Sequence, residues 1–130
     1  MSTLHVRDLM TSTVVSVGAR ESISHVLSMM DERRIRHVPV VDEQRTVVGV
    51  VSQRDVLQRA LFQHSGTVND IMSWHIETIG PDDDISVAAR IMLDHKYGCL
   101  PVVEHGRLAG ILTEADFVRH MAAHPGESLT

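Results

Sequence analysis

The chain contains the stretch Gly49-Val50-Val51-Ser52-Gln53-Arg54-Asp55, and the same pattern returns as Gly110-Ile111-Leu112-Thr113-Glu114-Ala115-Asp116. Each copy begins with a glycine and a short apolar segment, which is typical of a strand. A hydroxyl residue then precedes an aspartate by three positions, which is the pattern of a capped helix start. We therefore predict that each copy is a strand that runs directly into a helix.

The hydroxyl and carboxyl groups of the two copies allow two interpretations. The free N–H groups and the dipole of a helix start attract anions, and a first-turn aspartate can accept hydrogen bonds from a diol such as ribose. The alternative is a capping box, in which Ser52 or Thr113 caps the helix and the carboxylate three residues later accepts a hydrogen bond from the N–H of that capping residue. Capping does not require the preceding Gly-apolar-apolar sequence, so the repetition favours a ligand, and the capping interpretation stays open.

The sequence on both sides of these stretches is also repeated. Each half reads as strand, helix, strand, strand, helix, with first strands predicted at 14–17 and 76–79 and Pro-containing strands at 37–41 and 99–103. Apolar residues at helical spacing lie between them: Ile23, Val26, Leu27 and Met30 in the first half, and Ile85, Ala88, Ala89 and Met92 in the second.

The predicted fold is therefore α/β, with two β-α-β-β-α repeats. A half of this size leaves one apolar sheet face uncovered and could not hold a core alone. We expect the halves to pack sheet to sheet with pseudo-twofold symmetry. The predicted domains are residues 6–62 and 68–122, with tails at 1–5 and 123–130.

Composition limits the classes of function. A net charge of −5 without a Lys/Arg cluster argues against a nucleic-acid surface. No apolar run approaches the roughly 18 residues that a membrane helix needs, and the first residues do not resemble a signal peptide. A single cysteine excludes an intrachain disulfide and fits a reducing compartment. We expect a cytoplasmic protein that binds neither nucleic acid nor membrane.

The repeat resembles a tandem pair of cystathionine-β-synthase-type (CBS) domains, the Bateman module. The resemblance rests on the Asp-apolar-Met at 8–10 and 70–72, on the Pro-containing strands, and on the two Gly-x-x-Ser/Thr-x-x-Asp stretches. It covers nearly the whole chain. It implies a regulatory module that binds an adenosine-containing ligand, such as AMP, ADP or ATP, in clefts between the repeats, without catalysis.

The resemblance also implies roles for individual residues. Asp55 and Asp116 would hold ribose hydroxyls, and Ser52 and Thr113 would assist at the ribose or phosphate. The adenine would lie between apolar side chains of the first strand and the Pro-containing strand of the repeats, which here are Val14, Val38, Ile76 and Leu100.

The cations expected at the phosphates occur in the first half alone. The resemblance assigns this role to the pair Arg36–His37, with Arg54 nearby, whereas Gly98–Cys99 and Ala115 occupy the matching positions of the second half. A guanidinium suits phosphate because its donors form a rigid fork, although a solvated strand start is the simpler interpretation of the pair. We therefore expect phosphate binding in the first half.

Three further features have both a functional and a simpler interpretation. His120 and His124 have the i, i+4 spacing of metal ligands, but a solvated pair is favoured. The acidic run 82–84 could bind a hard cation, but acids at a helix start explain it. Cys99 is expected to be a small buried residue rather than a reactive thiol. We predict neither a metal site nor a nucleophilic triad.

The sequence is compatible with two functions from different classes. The first is a nucleotide-sensing module that signals to a protein which the sequence does not name. The second is a structural dimerisation module with no bound nucleotide. In either case we expect a homodimer, because the last helices carry apolar residues such as Phe62, Phe117 and Met121 that a small monomer cannot all bury.

Overall fold

The computed structural model describes residues 4–62 and 65–126. The first half contains the helices α1 (Val6–Leu9) and α2 (Ile23–Arg33), the strands β1 (His37–Val41) and β2 (Val47–Ser52), and the helix α3 (Gln53–Phe62). The second half contains a 3₁₀ turn (Val68–Asp70), α4 (Ile85–His95), β3 (Cys99–Glu104), β4 (Arg107–Thr113) and α5 (Glu114–Ala123). The fold is mixed α/β, as predicted.

The strands form two antiparallel two-stranded sheets, β1–β2 and β3–β4. The register places His37 opposite Ser52 in the first sheet and Cys99 opposite Thr113 in the second. Each second strand leads without a loop into a helix: β2 ends at Ser52 and α3 begins at the next residue, and β4 ends at Thr113 and α5 begins at the next residue. The strand-to-helix junction predicted from the repeated stretch is confirmed.

The first strand predicted for each half is shortened to a single parallel bridge, Val17 with Val40 and Ile79 with Val102. The Val17 N–H donates to the Pro39 carbonyl at 3.1 Å, and the Val17 carbonyl accepts from Val41 N–H at 2.9 Å. The next ladder bond toward the N-terminus would need an N–H from Pro39, which proline lacks. Pro101 has the same effect in the second half.

The two amphipathic helices are confirmed. In α2, Ile23, Val26 and Met30 are buried, and the equivalent face of α4 buries Ile85, Ala88 and Met92. Each helix packs into a separate core with the Pro-containing strand of its own half, so the buried apolar residues of the described ranges form two clusters.

The chain divides into two compact units that do not coincide with the two sequence repeats. Unit 1 comprises residues 1–14 and 77–130, and unit 2 comprises residues 15–76. Thr11 exchanges backbone hydrogen bonds of 2.9 and 3.0 Å with Ile111, and Ser73 exchanges bonds of 2.9 and 3.0 Å with Val50. The opening segment of each repeat is thus built into the unit that holds the sheet of the other repeat.

This exchange explains the glycine at the start of the repeated stretch. A Cβ on Gly49 would lie 2.8 Å from the Ser73 carbonyl oxygen, and a Cβ on Gly110 would lie 2.8 Å from the Thr11 carbonyl oxygen. Glycine is therefore required at both positions because another backbone crosses there.

Among the described residues, no helix has the length and apolar character needed to cross a lipid bilayer.

Candidate functional site

In unit 2, the repeated stretch joins a hydroxyl and a carboxylate at the start of α3. The Ser52 Oγ accepts a hydrogen bond from the Asp55 N–H at 3.2 Å, so the hydroxyl caps the helix. The same hydroxyl donates to the Asp55 Oδ2 at 2.8 Å. Both residues are half-buried. The pair therefore forms a fixed polar site at a helix start whose carboxylate is still partly accessible.

The backbone places the basic residues predicted for the phosphates next to the start of α3. His37 lies opposite Ser52 in the β1–β2 register, and side chains directly opposite each other share one face of a sheet. The Arg36 carbonyl accepts a 2.7 Å hydrogen bond from the Gln53 N–H, which ties the residue before β1 to the first residue of α3. The side chains of Arg36 and Arg54 are exposed. Three basic residues are therefore adjacent in the backbone to the start of α3.

In unit 1, the matching carboxylate is fully enclosed. Asp116 is 2% exposed and is the buried charged residue of the described chain. Its Oδ2 accepts hydrogen bonds from the Thr113 N–H at 2.8 Å and the Thr113 hydroxyl at 3.2 Å. Its Oδ1 accepts from the Thr11 hydroxyl at 2.9 Å and from the Arg119 Nη1 at 2.7 Å. The two oxygens therefore accept four hydrogen bonds.

Thr11 and Arg119 are site residues that the sequence analysis did not identify. Arg119 follows Asp116 by three positions on α5, and i, i+3 pairs of opposite charge are neighbours on a helix surface. That spacing could have revealed Arg119. Thr11 is 105 residues away from Asp116 in the chain, so no local pattern could have revealed it.

The four positions predicted for the adenine differ in exposure and in the unit that contains them. Val38 and Leu100 are fully buried in the cores, where they pack against other apolar residues. Val14 and Ile76 are half-buried. The exchange of opening segments places Val14 in the unit of Leu100, and Ile76 in the unit of Val38.

The position opposite Thr113 carries no charge. Cys99 occupies it and is 7% exposed. Burial raises the pKa of the Cys99 thiol to about 12, so the side chain is neutral near pH 7. The prediction of a buried cysteine is confirmed. Unit 1 therefore lacks the cation that His37 provides beside Ser52 when its imidazole is protonated.

His120 on α5 contacts His124, the residue that follows the helix. The rings of His120 and His124 stack with centroids 4.2 Å apart, and His124 Nδ1 lies 3.0 Å from the His120 carbonyl oxygen. Within residues 4–62 and 65–126, no group of three His, Cys, Asp or Glu side chains is arranged to hold a metal ion.

The acidic run before α4 is used locally, as predicted. Asp84 caps the helix by accepting from the Ser86 N–H at 2.8 Å, and the bonds from Ser86 lower the pKa of Asp84 below its usual range. Asp83 accepts from the Gly80 N–H at 2.8 Å, and Asp82 forms a 2.8 Å ion pair with Arg7.

The chain belongs to the CBS domain family, whose model matches residues 6–61 and 68–123. It is 35% identical over 115 residues to a homoserine O-acetyltransferase of Methanococcoides burtonii, a match that covers 88% of this chain but 23% of that protein. The chain thus spans less than a quarter of that enzyme.

Solved structures of similar length have the same fold. A putative acetoin utilization protein (AcuB) from Vibrio cholerae superimposes with a TM-score of 0.86 and 30% identity, covering 94% of this chain and 93% of that one. CBSX2 from Arabidopsis thaliana, solved in complex with AMP, gives a TM-score of 0.80 and 30% identity over 92% of this chain and 96% of that one. The tandem CBS pair expected from the sequence is confirmed.

Proposed function

We propose that this chain is a regulatory module that binds an adenosine-containing ligand at the Ser52–Asp55 pair of unit 2. The observation that carries the proposal is a helix-start carboxylate that is held by one hydroxyl, remains half-exposed, and is flanked by Arg36 and His37. A carboxylate accepts the two hydrogen bonds of a ribose diol, and a guanidinium binds phosphate. The similarity to CBSX2, solved with AMP, supports this ligand class.

The charges around the site favour a phosphorylated ligand over adenosine. Arg36 and Arg54 are exposed at the start of β1 and α3, and His37 faces Ser52 across the sheet. Charge-assisted hydrogen bonds to phosphate are shorter and stronger than neutral ones. We therefore expect AMP, ADP or ATP to bind more tightly than adenosine.

The test is calorimetric titration of the protein with adenosine, AMP, ADP and ATP. We expect saturable binding that Asp55→Asn weakens by up to about a hundredfold. Asp31→Asn is the matched control, because Asp31 is an exposed acid on α2 of the same unit. If none of the four compounds binds, the alternative of a structural module without a nucleotide replaces this proposal.

The proposed module carries out no catalysis. Neither site combines its hydroxyl with a general base in the arrangement of a triad, since the Ser52 and Thr113 hydroxyls donate to Asp55 and Asp116, the carboxylates of the first helical turn. ATP incubated with the protein should therefore be recovered without hydrolysis. Release of ADP or AMP above the rate in buffer would overturn this part of the proposal.

We further propose that the protein is a homodimer. Exposed apolar side chains lie on the last helices, where Leu61 is 81% exposed and Val118 and Met121 are 66% and 59% exposed. Phe117 is half-buried against the core of unit 1 and adds less to this surface than the sequence suggests. The Phe62 side chain lies outside the described residues. A monomer in sedimentation at tens of micromolar would contradict the dimer.

Regulation requires that the ligand favour one conformation of the protein. A ligand shifts an equilibrium only by its difference in affinity for the two states, and a tenfold difference is about 1.4 kcal/mol. We propose that this shift changes the binding of a partner protein. Small-angle scattering with and without saturating AMP tests it, and identical curves would argue against a sensor.

A further inference from the structure

The two carboxylates of the repeated stretch differ in how many hydrogen bonds they accept. An ionised carboxylate has about four acceptor positions. Asp116 accepts bonds from Thr11, Arg119 and, twice, Thr113. All of its acceptor capacity is therefore in use, and its side chain is 1% exposed. A ribose diol could bind there only if two of these bonds were broken.

The bonds that a ligand would have to break are those to Oδ1. The Asp116 Oδ2 accepts from the Thr113 N–H and hydroxyl at the start of α5. Breaking these bonds would leave polar groups of a buried helix start without a partner, which costs free energy. The Oδ1 bonds from Thr11 and Arg119 come from outside the cap. Arg119 is 68% exposed, so its guanidinium can move into solvent, and the Thr11 hydroxyl can rotate.

Unit 2 has other residues at the equivalent positions. The counterparts of Thr11 and Arg119 in the repeat are Ser73 and Gln58, and both are exposed. A glutamine carries no charge and forms no ion pair with a carboxylate. Asp55 is half-buried, whereas Asp116 is enclosed. The difference between the two sites therefore extends beyond the cations at the phosphates to the acid itself.

We propose that Thr11 and Arg119 are the residues that decide which site binds the ligand, because they occupy Asp116 and keep the unit 1 site closed to a ribose. This inference rests on the proposed function and deepens it. The wild-type protein then binds one adenosine-containing ligand per chain, at unit 2. Unit 1 binds a second one only when the Oδ1 bonds are released.

The test measures adenosine binding by calorimetry in a protein whose unit 2 site is disabled by Asp55→Asn. Adenosine is the probe because it carries the diol without phosphate. On this background we expect Arg119→Gln to raise the affinity of unit 1 at least tenfold, and Thr11→Val to act in the same direction. Arg90→Gln is the matched control, since it removes an exposed Arg–Asp pair of α4 in the same unit.

A rise in affinity distinguishes this role from a structural one, because damage to the fold lowers affinity. Adenosine binding that is unchanged or weaker after both Arg119→Gln and Thr11→Val would overturn the inference. Two ligands per wild-type chain with equal affinity would also overturn it.

A different variant tests the proposed function by itself. Asp116→Asn keeps the unit 2 site, and the proposed function is wrong if this variant binds neither adenosine nor AMP. In that case a ligand-free measurement still decides whether Arg119 occupies Asp116. The urea midpoints of Arg119→Gln, Asp116→Asn and the double variant should be non-additive, because the two side chains share one interaction. Additive shifts would overturn the inference without any ligand.

Discussion

The sites of unit 1 and unit 2 have the same backbone plan and different neighbours around the aspartate. In both, an antiparallel pair ends in a hydroxyl residue that starts a helix, and an aspartate follows on the first turn. In unit 2 the strand partner of the hydroxyl residue is His37 and the acid is half-exposed, whereas in unit 1 the partner is a neutral cysteine and the acid is enclosed. Repetition of a motif therefore preserves the position of a carboxylate without preserving its availability.

The largest expected effect concerns Cys99, the unit 1 counterpart of His37. Burial raises its pKa from 9.0 to about 12, so the folded protein holds roughly a thousandfold less thiolate at pH 8 than the unfolded chain. Alkylation by iodoacetamide should slow by a similar factor, measured by mass spectrometry with and without urea. Because the unfolded chain loses this proton first, stability should fall as the pH rises above 9.0. Equal alkylation rates would contradict the prediction.

The two aspartates should have unequal effects on ligand binding. Asp55→Ala should weaken adenosine and AMP alike by about a hundredfold, since two hydrogen bonds to a charged group are lost at about 1.5 kcal/mol each. Asp116→Ala should leave the tighter AMP site unchanged. Calorimetry on both variants checks this difference. If Asp116→Ala abolishes binding and Asp55→Ala does not, the ligand site lies in unit 1.

Substitution of Gly49 and of Gly110 should destabilise the protein equally, because the backbone of the two units is the same at these positions. A Cβ at either Gly49 or Gly110 would meet a crossing carbonyl oxygen at 2.8 Å. Gly49→Ala and Gly110→Ala should each lower the free energy of unfolding by about 1–3 kcal/mol, measured by urea denaturation. Gly18→Ala is the control, since no atom lies within 4 Å of its Cβ position. A large loss at one glycine alone would show that the units differ in their backbones.

Arg36 tests whether the charge difference between the units selects phosphate. Arg36→Ala should weaken AMP, ADP or ATP by about ten- to a hundredfold, the equivalent of a hydrogen bond to a charged group. Adenosine binding should change little, because it carries no phosphate. Arg33→Ala, which removes an exposed arginine of α2, is the matched control. Equal weakening of adenosine and AMP would place Arg36 at another part of the ligand.

The smallest expected effect is a pH dependence from His37. A protonated imidazole adds a positive charge beside the phosphate, so AMP should bind a few-fold more tightly at pH 6.5 than at pH 7.5. Values below pH 6 are avoided because the phosphate itself is then protonated. His37→Gln should remove the dependence in calorimetric titrations. A dependence that persists in His37→Gln would assign it to another group.

The parts of the fold that depend on neighbours in the chain could be predicted from the sequence. The apolar spacing of Ile23, Val26 and Met30 placed α2, and the Ser-x-x-Asp and Thr-x-x-Asp patterns placed the starts of α3 and α5. The first strands could not be placed correctly, although their residues favour strands. Whether a ladder extends past Val17 depends on the N–H that Pro39 lacks on the neighbouring strand.

The two repeats, their helices and junctions, and the presence of Arg36 and His37 in one repeat alone follow from the amino-acid sequence. The opening segment that completes each unit is visible only in the folded chain, which places Val14 in the same unit as Thr113. The fold also places Thr11 against Asp116 across 105 residues of chain. Periodicity and capping act over one or two helical turns, whereas the hydrogen bonds and burial of a carboxylate depend on whichever distant segment the fold places beside it.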